Sequence, residues 1–170
     1  ETALAEAIEA KIALDAVIAG SEAQAAGLWA LREHIPDAQK REGPNIKHDI
    51  GVPIARIPAF LARAEQALDA AFPGVRYVVF GHLGDGNLHY NLAAPDGVVA
   101  EAFLVHTAAA NRIVHDLVAR HGGSISAEHG IGQQKREELV RYRSAVELDL
   151  MRAIKRAFDP GALLNPGKVL

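Results

Sequence analysis

The sequence predicts an α+β fold of the split βαβ type, and three observations carry that prediction. Two strand-like runs, residues 75–83 and 87–93, are joined through Gly84-Asp85-Gly86, and Asp-Gly is the strongest short hairpin signal. A helical pattern precedes this pair and a second follows it. A short alternating run stands before the first helix and another after the second, giving the order strand, helix, strand, strand, helix, strand. The usual outcome is a ferredoxin-like antiparallel sheet of order 4-1-3-2, with both helices on one face and the other face open.

The elements follow in chain order. Residues 2–18 are rich in Ala and Glu, with Leu4, Ile8 and Ile12 at helical spacing and Gly20 at the C-cap position, which predicts a helix. Ser21 and Gln24 have the spacing of a capping box. They open a second helix that carries Leu28, Leu31 and Ile35 on one side and stops before Pro36. The polar stretch from Pro36 to Pro44 reads as a linker, yet nothing is marked enough to divide the chain, so residues 1–170 are read as one domain. Residues 45–52 alternate Ile46, Ile50 and Val52 against Asn45, Lys47 and Asp49, predicting the first strand. Ile57, Leu61, Ala64, Leu68 and Ala71 share a helical face, with Pro58 in the first turn and Pro73-Gly74 as the stop. A long helix is predicted over about 98–120, with Val99, Phe103, Ala110, Val114 and Leu117 inward. Residues 124–127 then form the fourth strand. Helix resumes near Gln133, and the Ser144 and Glu147 capping box starts the last helix.

Composition limits the function classes. Hydrophobic residues make up 49% of the 170 and charged residues 23%, as expected of a globular domain. Cysteine is absent, which removes disulfides, thiolate metal sites and cysteine nucleophiles. A net charge of −3 makes nucleic acid an unsuitable partner. There is no apolar run long enough to cross a bilayer, so a soluble, cytoplasmic protein is expected. The chain begins at Glu1 and its only methionine is Met151, so it is expected to be a piece of a longer protein.

Alternation along the strands selects a polar face. A two-residue turn at Asp85-Gly86 sets His82 directly opposite His89, with Cβ atoms about 4.5–5.5 Å apart. Asn87, His89 and Asn91 share that side, while Leu88, Tyr90 and Leu92 pack under the helices. Ser124, Ser126 and Glu128 fall on the same side, and Lys47 is expected between Glu128 and the two histidines. Two imidazoles and a carboxylate suit a divalent transition ion such as zinc, with a position left open for water or substrate. The competing explanation is a surface cross-strand histidine pair; Glu128 at the same parity tips the balance to a metal site. The Gly81–Gly86 run does not make a phosphate or calcium loop, because no helix opens after it and further calcium ligands are missing. His129, beside Glu128 at a strand end, is a candidate general base, against a capping or supporting role. Arg32 and Lys47 are candidate anion receptors, although a solvated helix residue is the simpler account of Arg32 alone.

Leu28-Trp29-Ala30-Leu31-Arg32-Glu33, Lys47-His48-Asp49, Gly81-His82-Leu83-Gly84-Asp85-Gly86-Asn87-Leu88-His89, Ser126-Ala127-Glu128-His129-Gly130 and Leu164-Asn165-Pro166-Gly167-Lys168 together mark a resemblance. The chain resembles the C-terminal domain of FAD-linked D-2-hydroxyacid dehydrogenases, which include D-lactate and D-2-hydroxyglutarate dehydrogenases and the flavin subunit of glycolate oxidase. The resemblance implies a cap that covers the flavin and holds a small 2-hydroxyacid, with FAD bound mainly by an N-terminal domain of the same full-length chain. It implies metal ligands at His82, His89 and Glu128, a base at His129, substrate contacts from Arg32, Lys47 and Asn91, and a cofactor contact from Asn165. Members acting on D-2-hydroxyglutarate carry threonine where Pro36 stands, which puts a distal carboxylate contact in doubt. The electron acceptor is left open, and a homodimer is an allowed assembly. Two readings from other classes stand beside this one: a stand-alone ferredoxin-like module binding metal or a small acid, and a metal-dependent hydrolase using Glu128 or His129.

Overall fold

The computed structural model describes all 170 residues, which form two compact units, Glu1–Gly43 and Pro44–Leu170. The division falls at the end of the polar Pro36–Pro44 stretch.

The first unit holds α1 (Thr2–Glu9), α2 (Glu22–Glu33) and α3 (Ile35–Arg41). The helix expected over 2–18 ends at Glu9, and Lys11 takes a left-handed φ of 57°. Ile12, Leu14 and Val17 beyond it are exposed, so a longer helix would bury no apolar face, and short helices depend on such burial. Ser21 caps α2 as expected, its Oγ accepting from Gln24 N at 3.2 Å. The expected linker is instead largely helical. Pro36 sits in the first turn of α3, where its missing N–H costs nothing, so it restarts a helix rather than only ending one.

The second unit is the α+β part. Its strands are β1 (Asp49–Gly51), β2 (Arg76–His82) and β3 (Asn87–Ala93), antiparallel in the order β1-β3-β2. Its helices are α4 (Ile57–Ala71), α5 (Ala100–Phe103), α6 (Thr107–Arg120), α7 (Arg136–Tyr142) and α8 (Ala145–Phe158). Ile57, Phe60, Ala64 and Leu68 of α4 and Ala110, Val114, Leu117 and Val118 of α6 are buried. They pack with Ile46, Ile50, Leu88, Tyr90 and Leu92 from one sheet face. Polar residues of the other face are thereby left to build a site.

Several boundaries differ from the sequence reading. The first strand is shorter than 45–52: outside Asp49–Gly51 it pairs with β3 through an isolated bridge, Ile46 to Leu92, and the Tyr90 N–H donating to His48 O at 2.9 Å. The helix expected over 98–120 is broken by a 3-10 turn at Leu104–His106, where Thr107 Oγ1 bonds Leu104 O at 2.6 Å, and Val99 is exposed. The helix expected from Gln133 starts at Arg136. The fourth strand shrinks to one bridge, Gly51 to Ser124. Beyond it the amides of residues 127–129 turn to a carboxylate instead of a neighbouring strand.

His48 fills the core beneath the site. Its Nδ1–H donates to Tyr90 O at 2.7 Å, and its ring meets His115 edge-on at 5.8 Å. Burial pushes the His48 imidazole down to about 4, against the opposing pull of the Tyr90 carbonyl. His115 is also pushed down by burial, although Glu138 at 3.1 Å favours its charged form. Arg112 joins Glu138 at 2.8 Å and Tyr142 at 3.0 Å, tying α6 to α7.

Candidate metal and substrate site

The hairpin is turned by a 3-10 segment, Leu83–Asp85, followed by Gly86 at φ +71°. The tight two-residue turn expected at Asp85-Gly86 is therefore replaced by a wider one, and the register moves by two residues. His82 pairs with Asn87, and His89 with Phe80. A shift of two preserves side-chain parity, so both histidines keep the expected face, diagonal rather than directly opposite. The Phe80 ring lies 4.9 Å from the His89 ring and walls one side of it.

Glu128 closes the diagonal. His82 Nε2 lies 3.7 Å from Glu128 Oε1, and His89 Nε2 lies 3.7 Å from Glu128 Oε2. The three groups expected to converge do so: one carboxylate spans the space between two imidazoles, each nitrogen on its own oxygen. His129 joins them, its ring 5.8 Å from that of His89.

Asp49 occupies the place expected of Lys47. It pairs directly with His89 across β1 and β3 and is 3% exposed. Its Oδ2 accepts from the backbone N–H groups of Ala127 at 3.1 Å, Glu128 at 3.0 Å and His129 at 2.9 Å, and from Ser126 Oγ at 3.2 Å. Burial works to raise the Asp49 pKa, but these bonds and the nearby His129 ring outweigh it and hold the carboxyl below the ordinary value. Lys47 stands two residues further along the same edge, level with Asn91 and exposed. Asn91 is buried on the same face.

Asp49, His89 and His129 also bring their ligand atoms within 4.8 Å of one another, so two overlapping trios could be considered for a cation. The donor sets differ. Asp49 Oδ2 is taken up by the amides of residues 127–129 and Oδ1 accepts from Glu128 N at 3.2 Å, so a cation there would compete with the bonds that hold this loop, whereas Glu128 is half-exposed with both oxygens toward imidazole nitrogens. Two imidazoles and that carboxylate fit a zinc-like ion. Asn87 Oδ1, opposite His82, is buried without a hydrogen-bond partner, a further acceptor at the same place.

Arg32 lies in the last turn of α2, in the first unit, half-buried. Asn165 has a left-handed φ of 48° and is exposed. It lines a separate groove of about 740 Å³ with Met151, Ile154, Phe158 and Leu164. Asp49 and Asn87 were not singled out by the sequence. Parity did place Asp49 on the polar face; its buried role depends on the loop at 126–130, which no local pattern announces.

Residues 1–169 match the family described as FAD linked oxidases, C-terminal domain. The chain belongs to that family. It is 47% identical over 155 residues to a D-2-hydroxyglutarate dehydrogenase of Xanthomonas citri pv. viticola, covering 91% of this chain and 33% of that protein. To the D-2-hydroxyglutarate dehydrogenase of Stutzerimonas stutzeri it is 42% identical over 156 residues, covering 92% and 33%. To the mitochondrial D-2-hydroxyglutarate dehydrogenase of Bos taurus it is 36% identical over 169 residues, covering 98% and 29%. The FAD-linked oxidase domain thus spans about a third of the length of the curated relatives it matches.

Proposed function

We propose that this FAD-linked oxidase domain is the substrate- and metal-binding cap of an enzyme that oxidises a D-2-hydroxyacid to the 2-oxo acid. The observation that carries the reading is Glu128 spanning His82 and His89 beside His129. In this reading His82, His89 and Glu128 hold a divalent ion, zinc by the chemistry of the donors. Bound there, the dication supplies positive charge against the negative charge that builds on the substrate oxygen. FAD, held mainly outside these residues, supplies the hydride acceptor.

The chain's own residues do the remaining work. His129 removes the hydroxyl proton, because its exposed imidazole lies beside His89 at the edge of the cation site and can accept a proton at a ring nitrogen. Lys47 pairs with carboxylate and Asn91 offers its amide to the substrate, so that the acid is held in one orientation; Arg32 is kept as a candidate carboxylate receptor on the resemblance alone. Asn165 is assigned to the cofactor side. D-2-hydroxyglutarate heads the substrate panel, on the names of the relatives. Pro36 in place of threonine weakens its distal carboxylate contact and keeps shorter acids in that panel.

The test uses the full-length product of the encoding gene. It should purify with the visible spectrum of a flavoprotein, and a D-2-hydroxyacid should bleach that spectrum without oxygen while its L-enantiomer does not. His82→Ala and His89→Ala should lose zinc and turnover but keep flavin; His129→Ala should keep zinc and lose turnover. A colourless protein that takes up no FAD would overturn the reading.

A further inference from the structure

We propose that Asp49 is the positioning residue that lets Glu128 and His129, neighbours in sequence, both face the site. This rests on the roles just given to those two residues. Successive side chains of a strand point to opposite faces. Had residues 124–129 continued as the fourth strand, His129 would face away from whatever Glu128 faces. The chain leaves the sheet after Ser124 instead, and the amides of Ala127, Glu128 and His129 converge on Asp49 Oδ2 at 2.9–3.1 Å. Consecutive N–H groups around one anion form a concave nest, and here the anion is the protein's own carboxylate. The single Ser126 hydroxyl proton is shared between Asp49 Oδ2 at 3.2 Å and Gly130 O at 3.0 Å, and Gly130 at φ +73° lets the chain leave the nest.

Two consequences follow for the site. Pinned at residues 127–129, the backbone directs the Glu128 carboxylate to His82 and His89 and the His129 ring over His89. The His129 Nδ1 also lies 3.9 Å from Asp49 Oδ2, so one buried negative charge fixes the loop and faces the ring. Asp49 touches neither substrate nor cation in this account. It acts through the two residues it holds, as partners behind a metal ligand do when they set its orientation.

The test is Asp49→Asn in the full-length protein, which keeps size but removes the charge and turns one acceptor into a donor. Backbone amides of residues 127–129 should be protected from hydrogen exchange in the wild type and lose at least about tenfold of that protection in the variant. Zinc affinity should fall by roughly 10–100-fold. At saturating zinc kcat should fall by a similar factor, while KM for the hydroxyacid stays within about threefold. A folded variant with wild-type exchange, zinc affinity and kcat would overturn the proposal. If Asp49→Asn does not fold, Ser126→Ala removes a single donor and should weaken zinc binding by about threefold or more; no change there would equally overturn it. The exchange measurement separates this proposal from the reading it rests on. Should wild type bind no zinc, protected amides released by Asp49→Asn still support the clamp, and unprotected amides in wild type refute it.

Discussion

Replacing Gly81 with alanine tests how tightly the hairpin positions His82. A Cβ at Gly81 would lie 2.2 Å from Asn87 O and 3.0 Å from Leu88 Cα, both backbone atoms of the paired strand, whereas ordinary contact begins near 3.4 Å. The two strands must therefore part by about an ångström at the residue before His82. Overpacking of this kind costs about 1–3 kcal/mol, and the upper end applies because no flexible side chain can move aside. The displacement passes directly to His82 and Asn87, so zinc affinity should fall by about 10–100-fold, the range over which disturbing the support of a metal ligand acts. Gly84→Ala is the control: nothing lies within 4 Å of a Cβ there. It should leave stability unchanged or raise it by up to about 1 kcal/mol. Urea unfolding and calorimetric zinc titration of both variants in the full-length protein provide the assay. Equal stability and equal zinc affinity for the two would refute the reasoning.

Two further predictions concern the scaffold. The His48 imidazole protonates at about 4 when folded and near 6.5 when unfolded, so on acidification the unfolded chain takes up the proton first. Its contribution is fully present above about pH 6.5 and is lost as pH falls toward 4, amounting to roughly 3 kcal/mol; parallel stability–pH curves for wild type and His48→Gln would contradict this. Ser144→Ala breaks the capping box of α8, in which Ser144 Oγ accepts from Glu147 N at 3.2 Å and Ser144 N donates to Glu147 Oε2 at 2.9 Å. It should lower stability by about 1 kcal/mol in urea unfolding, with zinc affinity unchanged.

Much of the site was legible because alternation survives an error of two residues. The Asp-Gly signal suggested a tighter hairpin than the Leu83–Gly86 turn, yet His82, His89 and Asn91 kept their face because the shift was even. Glu128 reaches the face that parity gave it by another route, since the chain leaves the sheet after Ser124 and the amides of residues 127–129 turn to Asp49. Ile57, Ala64 and Leu68 of α4 and the caps at Ser21 and Ser144 were readable because each depends on residues within one or two turns, whereas Ala71, expected inward, is exposed and Phe60 takes the buried place the pattern did not name. What local patterns could not supply is Asp49 as a clamp. Its partners lie about eighty positions away, and backbone amides carry no residue type for a sequence to display. Likewise, composition, the spacing of Leu4, Ile8 and Ile12 and a C-cap at Gly20 suggested a helix over 2–18, but nothing within the first unit covers Ile12 or Leu14.

The most direct measurement is an anomalous-scattering map at the zinc edge from crystals of the zinc-loaded full-length protein. One peak should stand between His82 Nε2, His89 Nε2 and the Glu128 carboxylate, with Asp49 still bonded to the amides of residues 127–129. A peak held by Asp49 and His129 instead, or none beside these histidines, would contradict the account.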